Sequence, residues 1–295
     1  MECLKSKPVK INTAKPFPSY LTQNSSMSDT PQTHLSKYLD LLGVAKLPPL
    51  TSPFDPGYDP GTTEGHLEQS GHLMDSLKIS MACWQIGSEP ALRRKLAAAR
   101  KAGVKTCTGG GPFEVAFWFG KFQEYLELCA GLQFDRIEAG EGFITQELDP
   151  REICTAAQAQ GLEVQFEVGE KQSGAFTDEE MPVMIAQSKR WLDAGAVQII
   201  VEGRESALDV GLFDQTGQLN RGNADLFVEA LGFDRVVFEA PNKSSQFAFL
   251  NHFGPDVRLS NVRLEEILRV EIYRRGLHSD AFQHENLRPK GPRKC

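Results

Sequence analysis

Eight stretches of this 295-residue chain each deliver an ionisable or hydrogen-bonding residue at or just beyond their end. In chain order these are Asp55, Lys78, Gly109-Gly110 with Glu114 beyond, Glu138, Glu167 followed by Lys171, Glu202-Gly203-Arg204-Glu205, Glu239 followed by Asn242-Lys243-Ser244, and Ser260-Asn261. Any one of them, taken alone, reads as a solvated surface residue. Eight in succession do not, and charge inside an apolar stretch such as the one holding Glu202 is costly unless paired or used. Carboxylates that converge repel one another, and a divalent cation relieves that repulsion. Their hard oxygens favour Mg²⁺ over zinc. Lysine and arginine beside them suit a phosphate or carboxylate substrate. The residue types therefore point to a Mg²⁺-assisted enzyme acting on a small phosphorylated acid.

The elements that must position these groups follow one rhythm. Short apolar runs fall at 50–54, 76–79, 104–107, 136–139, 163–168, 197–202, 235–239 and 257–259, and helical stretches lie between them at 89–102, 121–132, 150–160, 178–194, 223–231 and 245–253. Gly103, Gly161, Gly195 and Gly232 stand where left-handed helix caps belong. Eight strands alternating with helices over this span predict an α/β fold, a TIM (β/α)8 barrel, with a doubly wound sheet as the rival. No GxGxxG follows a strand, which weighs against a dinucleotide site, and Gly109-Gly110-Gly111 alone reads as a tight turn. In a barrel, all eight strand ends meet at one face.

Residues 1–49, rich in Pro, Ser, Thr and Asn, read as a mostly disordered N-terminal extension. Within it, Leu35, Leu39 and Leu42 share a face of a short helix over 34–42. The barrel is expected over 50–282, and 283–295 reads as a flexible basic tail. The net charge is −7. Both flanks are net positive by three, which leaves −13 on residues 50–282, a poor body for nucleic acid. No apolar run approaches the roughly 18–20 residues that span a bilayer, and no secretory h-region opens the chain. Six cysteines without CxxC spacing fit a reducing cytoplasm rather than zinc or disulfides.

At the same residues the chain resembles the phosphosulfolactate synthase family. The resemblance rests on Val201-Glu-Gly-Arg-Glu-Ser206 with Gly211-Leu-Phe-Asp214, and on Phe238-Glu-Ala-Pro-Asn-Lys243. It continues in Glu167-Val-Gly169 with Lys171, Gly109-Gly110 with Phe113-Glu114, Arg274-Arg-Gly-Leu277 with Asp280, and the spacing of Asp55 to Lys78. Two turns depart from the family pattern. Ser80-Met-Ala-Cys83 stands where the family tends to read Gly-Trp-Gly-Thr, and Gly140-Glu-Gly142 where it tends to read Ser-Asp-Gly. The resemblance implies a Mg²⁺-dependent barrel lyase that adds sulfite to phosphoenolpyruvate, a step towards coenzyme M in some organisms. A non-catalytic family member and a different lyase on the same barrel are the alternatives.

Specific expectations follow for this chain. Asp55, Lys78, Glu138, Lys171, Arg204 and Lys243 should line one cavity, within about 15 Å of a common centre. Glu138 and Glu202 should hold the metal, with Glu167 or Glu239 as substitutes. Phosphate should sit by Asn242-Lys243-Ser244 and Ser260-Asn261, since barrels often bind it after strands seven and eight. Lys78 and Arg204 should hold sulfite or the carboxylate, and Lys171 should be the general acid. Gly109, Gly110, Asp55 and Glu205 complete the expected substrate contacts. A homo-oligomer is also compatible with the sequence.

Overall fold

The computed structural model describes residues 33–144, 148–170 and 174–292. Eight strands form a closed barrel in sequence order, every neighbour parallel: β1 Thr51–Asp55, β2 Ser76–Ile79, β3 Lys105–Thr108, β4 Arg136–Gly140, β5 Glu163–Val168, β6 Gln198–Val201, β7 Val236–Glu239 and β8 Leu259–Arg263. The helices outside it include α2 Pro60–Ser70, α3 Cys83–Ile86, α4 Glu89–Lys101, α5 Gly110–Trp118, α6 Phe122–Leu132, α7 Pro150–Ala159, α8 Met181–Ala194, α9 Arg221–Leu231, α10 Lys243–Phe253 and α11 Ile267–Arg274. The expected TIM barrel is therefore what the chain forms. No helix among the described residues is long and apolar enough to cross a membrane.

Local signals explain many of the boundaries. Asp59-Pro60 and Asp149-Pro150 start α2 and α7, each aspartate accepting two backbone N–H groups of the first turn. The four glycines expected as caps all have positive φ. The helices α2, α3, α5 and α11 were not among those expected. In α5 the opening Gly-Gly-Pro has low helix propensity, and burial of Phe113 and Glu114 overrides it. Gly110-Gly111 is thus a helix start rather than a turn.

Strand alternation sorts the side chains into two sets. Outward-facing Phe166 of β5 stacks on Trp191 of α8, ring centroids 4.4 Å apart, inside a continuous apolar layer between barrel and helices. The inward set mixes polar residues with Phe54, Ile200 and Val237. Arg136 and Gln198 both donate to Gln165 Oε1 (3.1 and 3.0 Å), and Gln165 Nε2 donates to Glu138 Oε2 at 2.7 Å.

The barrel closes between β1 and β8 with an irregularity. Ser52 pairs with Ser260 and Pro53 with Val262, so Asn261 is an extra residue in β8, in the left-handed region at φ 53°. The expected eighth strand, 257–259, ends where the actual one begins, and Asn261 lies inside it rather than after it. The bulge also explains a proline in β1, since Pro has no N–H for a regular ladder.

Of the two flanks, the C-terminal one departs from expectation where it is described. Helix α1, His34–Leu42, forms as predicted, and Val44 behind it is buried. The segment from 283 to 292 is not loose. Leu287 is buried, and the N–H groups of Lys290 and Gly291 donate to Gly43 and Leu42 at the end of α1. One apolar anchor and two backbone hydrogen bonds outweigh the basic, proline-containing composition.

Candidate active site

The C-terminal ends of β2, β4, β5, β6 and β7 bring charged side chains onto one buried point. Lys78 from β2 is its hub. Its ammonium donates to both oxygens of Glu138 (3.0 and 3.1 Å) and to Glu239 Oε1 (3.3 Å), with Glu167 Oε2 at 3.9 Å. Burial alone would lower the lysine's pKa, but the charges of Glu138, Glu239 and Glu167 outweigh it and hold the pKa well above the ordinary value. Lys78 is therefore a fixed positive charge. Glu138 is pushed up to about 7. Burial is the largest cause, Lys78 opposes it, and Glu167 and Glu239 add to it.

Around this pair the backbone supplies further donors. The first N–H of α5, from Gly110, donates to Glu138 Oε1 at 2.9 Å, placing the positive end of a helix against a carboxylate. After β6 the chain folds back so that the N–H groups of Gly203 and Arg204 both reach Glu239 Oε2 at 3.0 Å, and Arg204 N also reaches Glu202 Oε1 at 2.7 Å. A Cβ at Gly203 would stand 2.8 Å from Glu239 O, so this approach requires glycine. Asn261 reaches in from its bulge and donates to Glu239 Oε1.

Three carboxylates, of Glu167, Glu202 and Glu239, offer oxygens that lie within 4.8 Å of one another, all from buried residues. Glu167 and Glu239 join Glu138 at the side chain of Lys78, and Glu202 adjoins them. An all-oxygen, anionic, buried set of this size fits a hard divalent cation of the Mg²⁺ type. In β8, Ser260 Oγ and Asn261 Oδ1 are buried and accept or donate no hydrogen bond among the described residues, polar atoms that a ligand can satisfy.

Backbone strain gathers at the same face. Of the six non-glycine residues with positive φ among the described residues, Met81, Arg204, Ala207, Asp209 and Asn261 follow β2 or β6 or lie in β8. Such conformations persist where surrounding structure imposes them, and they concentrate at functional sites.

The model of the (2R)-phospho-3-sulfolactate synthase family matches residues 49–280. The chain belongs to that family. It is 33% identical over 234 residues to the phosphosulfolactate synthase of Methanocaldococcus jannaschii, covering 79% of this chain and 93% of that one. The Methanothermobacter thermautotrophicus synthase is 30% identical, over 81% of this chain and 93% of its own. The Bacillus subtilis synthase is 26% identical, over 65% and 76%. This is an enzyme family, and the buried cluster occupies the face where barrel enzymes carry their active sites.

Within this phosphosulfolactate synthase-family barrel, the expected single cavity is only partly realised. Lys78 and Glu138 meet, and Arg204 contributes its backbone N–H to the cluster although the residue is exposed. Asp55 does not join. Its buried carboxylate turns to the helices, accepting from the N–H groups of Gly57 and Tyr58, from Thr63 Oγ1 and from Lys95 Nζ at 2.8 Å. The inward position on β1 belongs to its neighbour of opposite parity. Lys243 opens α10 but is half exposed, 3.6 Å from Asp280 and over the Phe247 ring. Glu205 and Ser244 are exposed, and Asn242 caps α10 through Ser245 N. Glu138 is taken up by Lys78, Gln165 and Gly110, so Glu167 rather than Glu138 completes the triad with Glu202 and Glu239. Gly109 lies against the turn after β2, where a Cβ would come 3.0 Å from Met81 N. Lys171 lies outside the described residues.

Arg136, Gln165 and Gln198, the polar layer beneath the cluster, went unnamed in the sequence reading. Their signal was present: polar residues at alternate positions of otherwise apolar strands.

Proposed function

We propose that the chain adds sulfite to phosphoenolpyruvate to form (2R)-2-O-phospho-3-sulfolactate, with Mg²⁺ held by Glu167, Glu202 and Glu239. The observation that carries this reading is the convergence of those three buried carboxylates beside Lys78, at the strand C-termini of a barrel of this family. When bound, the cation supplies positive charge next to the substrate carboxylate, where negative charge builds in the transition state.

The chain's own residues do the rest. The sulfite sulfur attacks the methylene carbon, and the double-bond electrons move towards the carboxylate. Lys78, kept protonated by its neighbours, stabilises that charge and is not the proton donor. Arg204 lends a second cation from the turn after β6. Lys171 delivers a proton to the carbon that bears the phosphate. Phosphate lies between β7 and β8, with Ser260 Oγ and the N–H groups at the start of α10 as donors. The free thiols of Cys83, Cys107, Cys129 and Cys154 suit a cytoplasmic setting.

Purified protein incubated with phosphoenolpyruvate, sulfite and Mg²⁺ should convert the enol phosphate resonance of the substrate to that of an alkyl phosphate ester. Chelation should stop the reaction and added Mg²⁺ restore it. Unchanged phosphoenolpyruvate under these conditions would overturn the proposal.

A further inference from the structure

Glu114 lies in the Phe113-Glu114 part of the family resemblance, and the function as described leaves it without a role. It is fully buried on α5, one turn beyond Gly110. Its Oε2 accepts the N–H groups of Phe143 (2.8 Å) and Ile144 (3.2 Å), two successive residues of the loop that follows β4. A Cβ at Gly140, the last residue of β4, would stand 3.5 Å from Glu114 Oε1, so the carboxylate lies against the strand end as well. In the same loop Ile144 is buried in the main core, and Glu141 accepts Gln187 Nε2 of α8 at 2.6 Å.

One helix therefore grips β4 twice. The N–H of Gly110 holds the Glu138 carboxylate, and the Glu114 side chain holds the backbone just past Gly140. We infer that Glu114 is a positioning residue: by fixing the loop after β4 to α5, it keeps the Gly110 donor on Glu138 and so holds the Glu138–Lys78 pair in its working geometry. A carboxylate suits this task because it accepts two N–H groups through charge-assisted bonds. Of the two residues Ile144 is buried, so losing the acceptor leaves its N–H unsatisfied. Misplacement of about an ångström at a catalytic constellation is enough to lower turnover ~10²-fold.

The inference rests on the proposed sulfite addition for its kinetic readout, and amide exchange provides one independent of it. Glu114→Ala should lower kcat about 10- to 100-fold while KM for phosphoenolpyruvate stays within about threefold, the pattern of an interaction that matters in the transition state. Glu114→Gln keeps an acceptor and should recover most of the lost turnover. Hydrogen exchange followed by mass spectrometry should show faster exchange in the peptide holding Phe143 and Ile144 for both variants, more so for Ala, with the β6–β7 peptides unchanged. A Glu114→Ala protein that melts earlier but turns over normally once folded would make Glu114 purely structural and overturn the inference. So would a Glu114→Gln no better than Ala, or exchange at 143–144 equal to wild type. If Glu114→Ala does not fold, Glu114→Gln decides by the same exchange measurement. If the wild type itself does not consume phosphoenolpyruvate and sulfite, the proposed reaction fails, and exchange at 143–144 still tests the grip of Glu114.

Discussion

The barrel buries charge at both ends, and the two ends differ in balance. At the N-terminal end of β1, fully buried Arg274 donates to the carbonyls of Pro255 and Val257, to Thr51 Oγ1 and to Glu271 Oε1, while Glu271 also accepts from Thr51 and Arg275. Every charge there meets an opposite one, and the network ties the start of β1 to α11 and to the chain entering β8. At the other end, Glu138, Glu167 and Glu239 surround Lys78, with Glu202 beside Glu167 and Glu239, and acid is in excess at its side chain. A network in which every charge has an opposite partner is what scaffolding requires. A negative one is tolerated where the working molecule brings further positive charge.

The largest test of that contrast is removal of the hub. Lys78→Met should lower kcat/KM by at least about 10³-fold, since it deletes a preorganised charge in a water-poor site, with circular dichroism confirming a folded barrel. Retained activity would make Lys78 a scaffold residue like Arg274. The converse change, Arg274→Met, removes a buried partner of Glu271 and the donors to the carbonyls of Pro255 and Val257, and should cost about 3 kcal/mol of stability in urea titrations. Turnover of the folded fraction should be unaffected. A selective loss of activity there would erase the distinction between the two ends.

The smallest effect is a slope. The carboxyl of Glu138 is raised from 4.5 to about 7, chiefly by burial, so the folded state holds its proton more tightly than the unfolded state. Between those values the folded state carries more protons, and stability must fall as pH rises. In chelated buffer this group contributes a slope of at most ~1.4 kcal/mol per pH unit, absent in Glu138→Gln. Equal slopes in the two proteins would show that Glu138 titrates normally.

Some of this molecule was determined by sequence alone. The alternation of apolar runs and helices pointed to an eight-stranded barrel, with a doubly wound sheet as the rival, because each strand must be buried on both sides. The same reading placed Lys78, Glu138, Glu167, Glu202 and Glu239 at strand ends, where they are. Only the tertiary structure decided which of these residues meet. In β1 all five residues are buried, so the pattern carries no sign of which face is inward. A difference of one residue sends Asp55 to Lys95 instead of to Lys78. The bulge that turns Asn261 towards Glu239 arises from the register of β1 against β8, strands some 200 residues apart in the chain. Partnerships among Glu138, Glu167 and Glu239 depend on where each strand stops relative to its neighbours. That stagger is set by closure of the whole barrel, to which no single segment of sequence has access.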